Sequence, residues 1–267
     1  MFNPNNEFEE LRFILNSKVR SKILMILFYH EETLDNLKIA LDKPSSTISH
    51  SLHQLTLLNL ISKNGKVYYL TSRGYIFALI IFKYISNLHF IHKSQDFLKN
   101  HSIESIPNNL LKDVYLLSGC EYVSSEGVDV SKPLNEYLKI ISSGSELNIV
   151  LPVFSQIHID NIITNIKNEN TIKLNLITTS NILKSLKKAG YMRKLSRLSK
   201  TYDINIWKYS GDLRVFLSFA RNFTTLSLFF CDDQFDDSVM LIDKSVNSVK
   251  WSKKLFNYYI KNSLKIL

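Results

Sequence analysis

Cysteine is almost missing from this chain: Cys120 and Cys231 are the only two in 267 residues, and they lie far apart. That excludes a disulfide framework and a zinc-ligand pattern, and it fits reduced thiols in a cytoplasmic protein. Long apolar runs are missing too. The most apolar run, Tyr75 to Phe82, lasts eight residues before Lys83 interrupts it. A bilayer span needs about 20 apolar residues, so the expectation is no membrane segment. The start, MFNPNNEFEE, is polar and acidic, unlike a signal peptide. There is no internal repeat and no low-complexity linker. P-loop, nucleophile-elbow and dinucleotide fingerprints are absent. The expectation is therefore a chain with no catalytic set, no cofactor and no metal, and not an enzyme.

What is present leans basic. Lys and Arg number 33 against 24 Asp and Glu, a net charge of +9, and such a balance favours polyanionic partners. The hydrophobic fraction of 45% is ordinary for a globular protein, and the length allows one or two domains. The pattern divides into residues 1–75, with short helices and a hairpin; 76–100, one longer helix; and 101–267, where strands and helices alternate. Ser102-Ile103-Glu104-Ser105-Ile106-Pro107 punctuates the halves, because Pro107 disfavours helix at the residue before it.

In the first segment Val19, Ile23, Ile26 and Leu27 recur at helical spacing, after a shorter stripe of Phe8, Leu11 and Leu15. Thr33 reads as the N-cap of a second helix through Leu34, Leu37 and Leu41. Past a break at Asp42-Lys43-Pro44, a third helix begins at Ser45. Ile48, Leu52 and Leu55 share one face of it; Ser45, Ser46, Thr47, Ser49, His50, His53 and Gln54 supply the other. Short or planar donors and acceptors suit a helix that enters a major groove, where long acidic chains would repel phosphate. Asn64-Gly65 between two β-prone runs signals a hairpin. Lys63 and Lys66 at its tip and Arg73 just beyond are candidates for phosphate contacts. Residues 1–95 carry 11 basic and 7 acidic side chains, net +4, so non-specific affinity should be modest and salt-sensitive.

The phrase SSTISHSLHQLTLLNLISKNGKVYYLTSRG resembles the pattern of archaeal and bacterial winged-helix regulators. That resemblance covers about the first 75 residues and implies double-stranded DNA as partner. Asn59 stands where the pattern usually has glycine. The same fold also serves elsewhere as a protein adaptor, and that alternative stays open.

In the middle segment Phe77, Ile81, Tyr84, Leu88 and Ile91 step by 4, 3, 4, 3, a heptad-like seam. It reads either as a homodimer helix or as packing onto a neighbouring domain.

In the last segment, strands are expected at Leu147–Leu151, Ile172–Ile177, Asp203–Tyr209, Arg214–Phe219, Phe223–Phe230 and Val239–Ile242. Helices are expected at Ile157–Ile166, from Ile182, and around Trp251, Leu255, Tyr258 and Tyr259. The fold class is thus an α+β winged helix-turn-helix domain, a long helix, and an α/β domain with a mixed sheet. The pieces HSIESIPNNLLKDVYLLSGCEYV, ELNIVLP and LSLFFCDDQFDDSVMLIDKSVNSVKWSKKLFNYYIKNS resemble the output domain of archaeal regulators of the methanogen filamentation-regulator type. This resemblance spans about residues 100–263. It implies transcription regulation in a methanogenic or related archaeon and does not imply a ligand. The expectation for the whole chain is a cytoplasmic regulator whose larger C-terminal domain senses a small-molecule effector or a regulatory protein. The sheet order is also distantly similar to phospholipase D-like domains, which use a His-x-Lys pair. His89, His92, His101 and His158 have no lysine two residues on, which speaks against a DNA-targeted phosphodiesterase.

Two charge clusters remain. No acidic residue occurs between Glu169 and Asp203, while Lys184, Lys187, Lys188, Arg193, Lys194, Arg197 and Lys200 crowd that stretch. Arg193 and Arg197, four apart, would share a helix face and suit an anionic effector near the crevice at the strand ends. A solvated face is the plain alternative. Asp232, Asp233, Asp236 and Asp237 lack the glycine and distal glutamate of a calcium loop and read as a hairpin turn.

Overall fold

The computed structural model describes residues 5–267; the first four residues of the polar start lie outside it. Contacts separate two compact units, Met1–Ser86 and Asn87–Leu267, and the division falls inside the long helix of the middle segment.

The first unit runs α1 (Asn5–Leu15), α2 (Lys18–Tyr29), β1 (Glu32–Thr33), α3 (Leu34–Leu41), α4 (Ser45–Leu57), β2 (Ile61–Asn64), β3 (Val67–Leu70) and the start of α5 (Ser72–Lys93). Its three strands pair antiparallel in the order β1-β3-β2. Short polar caps start the helices by satisfying backbone N–H groups that have no partner within the helix. Ser17 accepts from the Arg20 N–H at 3.3 Å and Thr33 from the Asn36 N–H at 3.3 Å. Ile14, Ile23, Leu24, Leu37, Ile48, Leu52, Leu55, Leu60 and Ile61 form the core. The upstream stripe differs from the sequence reading: Phe8 is 62% exposed, and Ile14 carries the packing of α1.

The end of α4 explains how this chain does without the usual glycine. Asn59 takes the left-handed conformation, φ 55°. Its N–H donates to the Thr56 carbonyl at 2.9 Å and the Leu60 N–H to the Leu55 carbonyl at 3.0 Å. These two bonds are a Schellman closure, in which asparagine tolerates the backbone that glycine adopts more readily. Gly74 is held by its lack of a side chain, since a Cβ there would lie 1.7 Å from the Leu60 carbonyl oxygen.

By length and composition α5 is long and apolar enough to cross a membrane, with a mean hydropathy of 1.4 over 18 residues, because its apolar character resumes beyond Lys83. Its Ala78 and Ile81 are fully buried in the core of the first unit. The heptad-like seam is therefore split. Ile81 is a core residue and Phe77 packs against the core, whereas Tyr84 and Ile91 are exposed. Beside them Tyr75, Ile76, Leu79 and Ile80 are exposed as well.

The second unit continues through α6 (Gln95–Asn100), α7 (Asn108–Leu111), a 3-10 turn at Val114–Leu117, β4 (Glu121–Ser124), α8 (Lys132–Ile141), β5 (Glu146–Leu151), α9 (Gln156–Lys167), β6 (Lys173–Thr179), α10 (Ser180–Lys188), α11 (Tyr191–Leu198), β7 (Asp203–Tyr209), β8 (Val215–Phe219), β9 (Thr224–Leu228), β10 (Val239–Asp243), α12 (Val246–Lys261) and β11 (Ser263–Lys265). Its eight strands form one mixed sheet, ordered β11-β7-β6-β5-β8-β9-β10-β4. The central β5, β6 and β7 are parallel; all other pairings are antiparallel.

Alternation along β5 sends Leu147, Ile149 and Leu151 to one face, against α8, α9, α10 and α11, and Val150 to the other, against α12. Trp251 and Tyr259 of α12 are fully buried. The Trp251 indole donates to the Leu110 carbonyl at 3.1 Å, and the Tyr259 hydroxyl to the Ser105 carbonyl at 2.6 Å. Both polar tips are thus satisfied inside an apolar layer. β4, α8, α11 and β11 lie outside the elements read from the sequence.

Candidate nucleic-acid interface

In α4 the apolar face falls entirely into the core, with Ile48, Leu52 and Leu55 buried. Ser45, Ser46, Thr47, Ser49, His50 and His53 are all exposed. Among the described residues none of these six side chains makes an intramolecular hydrogen bond, so their donors and acceptors stay open to a partner.

Gln54, read with this group, is committed. Its Oε1 accepts from Nη1 of Arg20 at 2.6 Å. The Arg20 guanidinium also donates from Nε to the Phe13 carbonyl at 3.0 Å and sits 3.9 Å from the Phe13 ring centroid. Arg20 thus stitches α1, α2 and α4 together and fixes the tilt of the exposed helix. A lone cation off the apolar face of α2 carries no sequence signal of a partner 34 residues on.

The hairpin forms β2 and β3, with Asn64 opposite Val67. The two turn residues are Gly65, φ +58°, and Lys66, whose φ is not positive. Glycine with positive φ in the first turn position followed by a residue with ordinary φ is the type II′ arrangement rather than the type I′ expected of Asn-Gly. Asn64 is therefore the last strand residue, and Lys66 occupies the tip. Both Lys63 and Lys66 are exposed. The Lys63 ammonium lies 5.1 Å from the Tyr68 ring centroid, which restrains it near the tip.

Arg73, the third basic candidate, is occupied. It donates from Nη2 to both Glu10 oxygens, at 2.6 and 2.9 Å, and from Nη1 to the Leu58 carbonyl. Its charge is matched by Glu10, so it clamps α1 to the end of α4 instead of offering a free cation.

In the second unit Arg193 and Arg197 share the exposed side of α11 and line a hollow of about 510 Å³ with Lys187, Met192 and Leu267. Among the described residues neither arginine has an ion-pair partner. They do not line the crevice at the carboxyl ends of the parallel strands, which is formed by Thr179, Ser180, Asn181, Tyr209 and Asp212 among others. The reason is that α10 and α11 carry the chain away from the end of β6 before the arginines occur.

Among the described residues no three His, Cys, Asp or Glu side chains gather to hold a metal ion. In the aspartate cluster Asp232 accepts from the Gln234 N–H at 3.2 Å and Asp236 from the Ser238 N–H at 2.8 Å, as turn residues do. Asp233 pairs with Arg214. Asp236 does more, because it is buried and receives His101. His158 lies in a recess with Tyr137 and Phe216, ring centroids 4.8 and 5.2 Å away. Its buried Nδ1 has no hydrogen-bond partner, and burial pushes the imidazole down to about 4.

The fold and this surface define a winged helix-turn-helix protein with an appended mixed α/β unit. The chain belongs to the family of the methanogenesis regulatory protein FilR1: the profile of that family's N-terminal domain matches residues 8–89 and that of its middle domain residues 130–262. It is 25% identical over 257 residues to the methanogenesis regulatory protein FilR1 of Methanothrix harundinacea (strain 6Ac). That match covers 96% of this chain, which spans 57% of the length of that curated relative. Among solved structures, TrmBL2, an archaeal chromatin protein described as showing a novel mode of DNA binding, overlaps 88% of each chain with a TM-score of 0.44 and 12% identity. Nuc of Salmonella typhimurium, a phospholipase D family member, overlaps 55% of this chain and 98% of its own, with a TM-score of 0.43 and 7% identity. NucT from Helicobacter pylori has the same coverage, a TM-score of 0.42 and 14% identity. Likenesses at this level carry no functional argument.

Proposed function

We propose that the chain is a DNA-binding transcriptional regulator, with α4 reading base edges of double-stranded DNA and the hairpin contacting phosphate. One observation carries this reading: the outward face of α4 is lined by six short or planar polar side chains without internal partners, beside a lysine-tipped hairpin. Family membership supports it. Each good base contact discriminates by about 1–3 kcal/mol. Replacing Ser46, Thr47 and His50 together with alanine leaves the buried face intact. The expected result in an electrophoretic shift on genomic fragments is loss of sequence preference with weak binding retained. Unaltered selection of fragments by the triple variant rejects the reading and favours a protein adaptor.

In this reading the protein is a cytoplasmic homodimer. The exposed Tyr75, Ile76, Leu79 and Ile80 on α5 supply an apolar face, and a two-fold pair would present two α4 helices to inverted half-sites. Light scattering giving a 31 kDa species at micromolar concentration, with and without DNA, rejects the dimer. The second unit is proposed to take an anionic effector at Arg193 and Arg197, whose spacing suits a carboxylate or phosphate.

A further inference from the structure

The parallel strands β5, β6 and β7 bring three asparagines into register: Asn148 opposite Asn175, and Asn175 opposite Asn205. Their side chains emerge on the α12 face and bond to one another in one direction. The Lys265 ammonium donates to Oδ1 of Asn205 at 2.6 Å. Asn205 donates from Nδ2 to Oδ1 of Asn175 at 3.1 Å, and Asn175 from Nδ2 to Oδ1 of Asn148 at 2.8 Å. Every carbonyl in the row is filled from the β7 side. Asn205 and Asn175 each donate toward β8, and Asn205 also donates from Nδ2 to Oδ1 of Asp203 at 2.7 Å. The row ends at Asn148, whose own NH₂ has no partner within the protein.

That last amide opens into a cleft of about 800 Å³, bounded by the start of β5, the β8–β9 turn and α12. Arg221 from the turn and Lys253 from α12 flank it, and Phe219 and Phe256 form an apolar wall. Among the described residues neither Arg221 nor Lys253 has an ion-pair partner. The one carboxylate in the lining, Glu146, is matched by Lys173 at 3.2 Å. The floor is deep, since Asn175 is only 8% exposed. An aligned row of amide dipoles, begun by an ammonium and ended by a free donor between two cations, is complementary to negative charge.

We propose that this cleft is a binding site for a small anion bearing a carboxylate or phosphate group, with Asn148 as its positioning donor. The recess is concave and its amide lies at the floor, which suits a small molecule and not the backbone of a duplex. The site is separate from Arg193 and Arg197, which sit on α11 against the opposite face of the sheet. It is also independent of DNA reading by α4.

The test is calorimetric titration of the whole protein with malonate and, separately, inorganic phosphate, against sodium chloride of equal ionic strength. Saturable binding of at least one probe is expected. Asn148→Asp keeps an oxygen to accept from Asn175 but turns a carboxylate into the cleft. It should weaken that binding by at least about tenfold, as expected for losing a hydrogen bond to a charged group. Arg221→Ala with Lys253→Ala alters only exposed side chains and should weaken it as much, which keeps the test valid if the Asn148 variant misfolds. Arg193→Ala with Arg197→Ala should leave it unchanged. Malonate binding without phosphate binding assigns a carboxylate ligand, and the reverse a phosphorylated one. No saturable binding of either probe overturns the proposal. So does binding that the Asn148 or Arg221/Lys253 variants leave intact, or binding lost only in the Arg193/Arg197 variant. Response to duplex DNA alone, abolished by the Arg221/Lys253 variant, overturns it in favour of a backbone contact.

Discussion

His101 and Asp236 form a buried pair, Nε2 to Oδ2 at 2.9 Å, across 135 residues of sequence. Nδ1 of the same ring faces the Phe97 carbonyl at 2.6 Å. The ring thus bridges a backbone carbonyl of α6 and a carboxylate far along the chain. Phe97 and Phe230 stack on the ring, with centroids 4.3 and 5.0 Å away, and close off water. Asp236→Ala strands the imidazole without its counter-group. Breaking such a pair from one side costs about 3–5 kcal/mol, and urea denaturation should read a loss of that size. Replacing both members with apolar residues, His101→Phe with Asp236→Leu, should recover much of it.

The wing separates two kinds of arginine and lysine. In Lys63→Ala with Lys66→Ala the slope of log affinity against log salt should fall by about 2, one for each phosphate contact, while the preferred sequence stays the same. Arg73→Ala should leave the slope alone and lower stability instead, because its charge is spent on Glu10. Fluorescence anisotropy across a salt series decides. An unchanged slope in the lysine variant removes the wing from the interface.

Gly74→Ala should destabilise the first unit. The new methyl would sit against backbone, at 1.7 Å from the Leu60 oxygen, and no side chain can move aside to admit it. Overpacking of this kind costs about 1–3 kcal/mol or more. A melting temperature equal to that of the parent chain would contradict the close packing of α5 on the end of α4.

His158 makes the second unit acid-sensitive. Burial holds its imidazole neutral down to about 4 in the folded chain. An unfolded histidine takes up its proton near pH 6.5. The contribution is therefore complete above about pH 6.5 and is lost as pH falls toward 4, by up to about 3 kcal/mol. His158→Leu should flatten that part of the stability profile relative to the parent chain. Parallel profiles between pH 6.5 and 4.5 would show that the ring is not held neutral.

The first unit was legible in its sequence because its signals are local. Ile48, Leu52 and Leu55 needed only helical spacing to be assigned to the core, and Asn64-Gly65 announced its hairpin. The open face of α4 followed from the same periodicity. What escaped was pairing at a distance. Nothing near Gln54 or Arg73 reveals that Arg20 and Glu10 will engage them, and so two of the ten interface candidates read as free when they are bound. In the second unit the apolar strands β5 and β6 declared themselves. β4, with only Tyr122 and Val123 half-buried, and β11, with Leu264 exposed, carry too little apolar pattern to be recognised. The asparagine row was invisible for another reason. One Asn in each of three strands is unremarkable until register sets them side by side.

The position of β4 also governs the order in which the second unit can assemble. β4 lies at Glu121–Ser124, yet among the described residues its one strand partner is β10 at Val239–Asp243. The β8–β9 hairpin closes over the short loop 220–223, β9 and β10 are neighbours in sequence joined by the longer connection 229–238, and β5–α9–β6 is a single local crossover, so these can form as the chain emerges. β4, and the Leu110 and Ser105 carbonyls that Trp251 and Tyr259 cap, must wait for more than a hundred further residues. Such long-range closure is slow and leaves apolar surface open meanwhile. During synthesis the first unit is thus free to reach its native form early, whereas the second stays incomplete until α12 has left the ribosome.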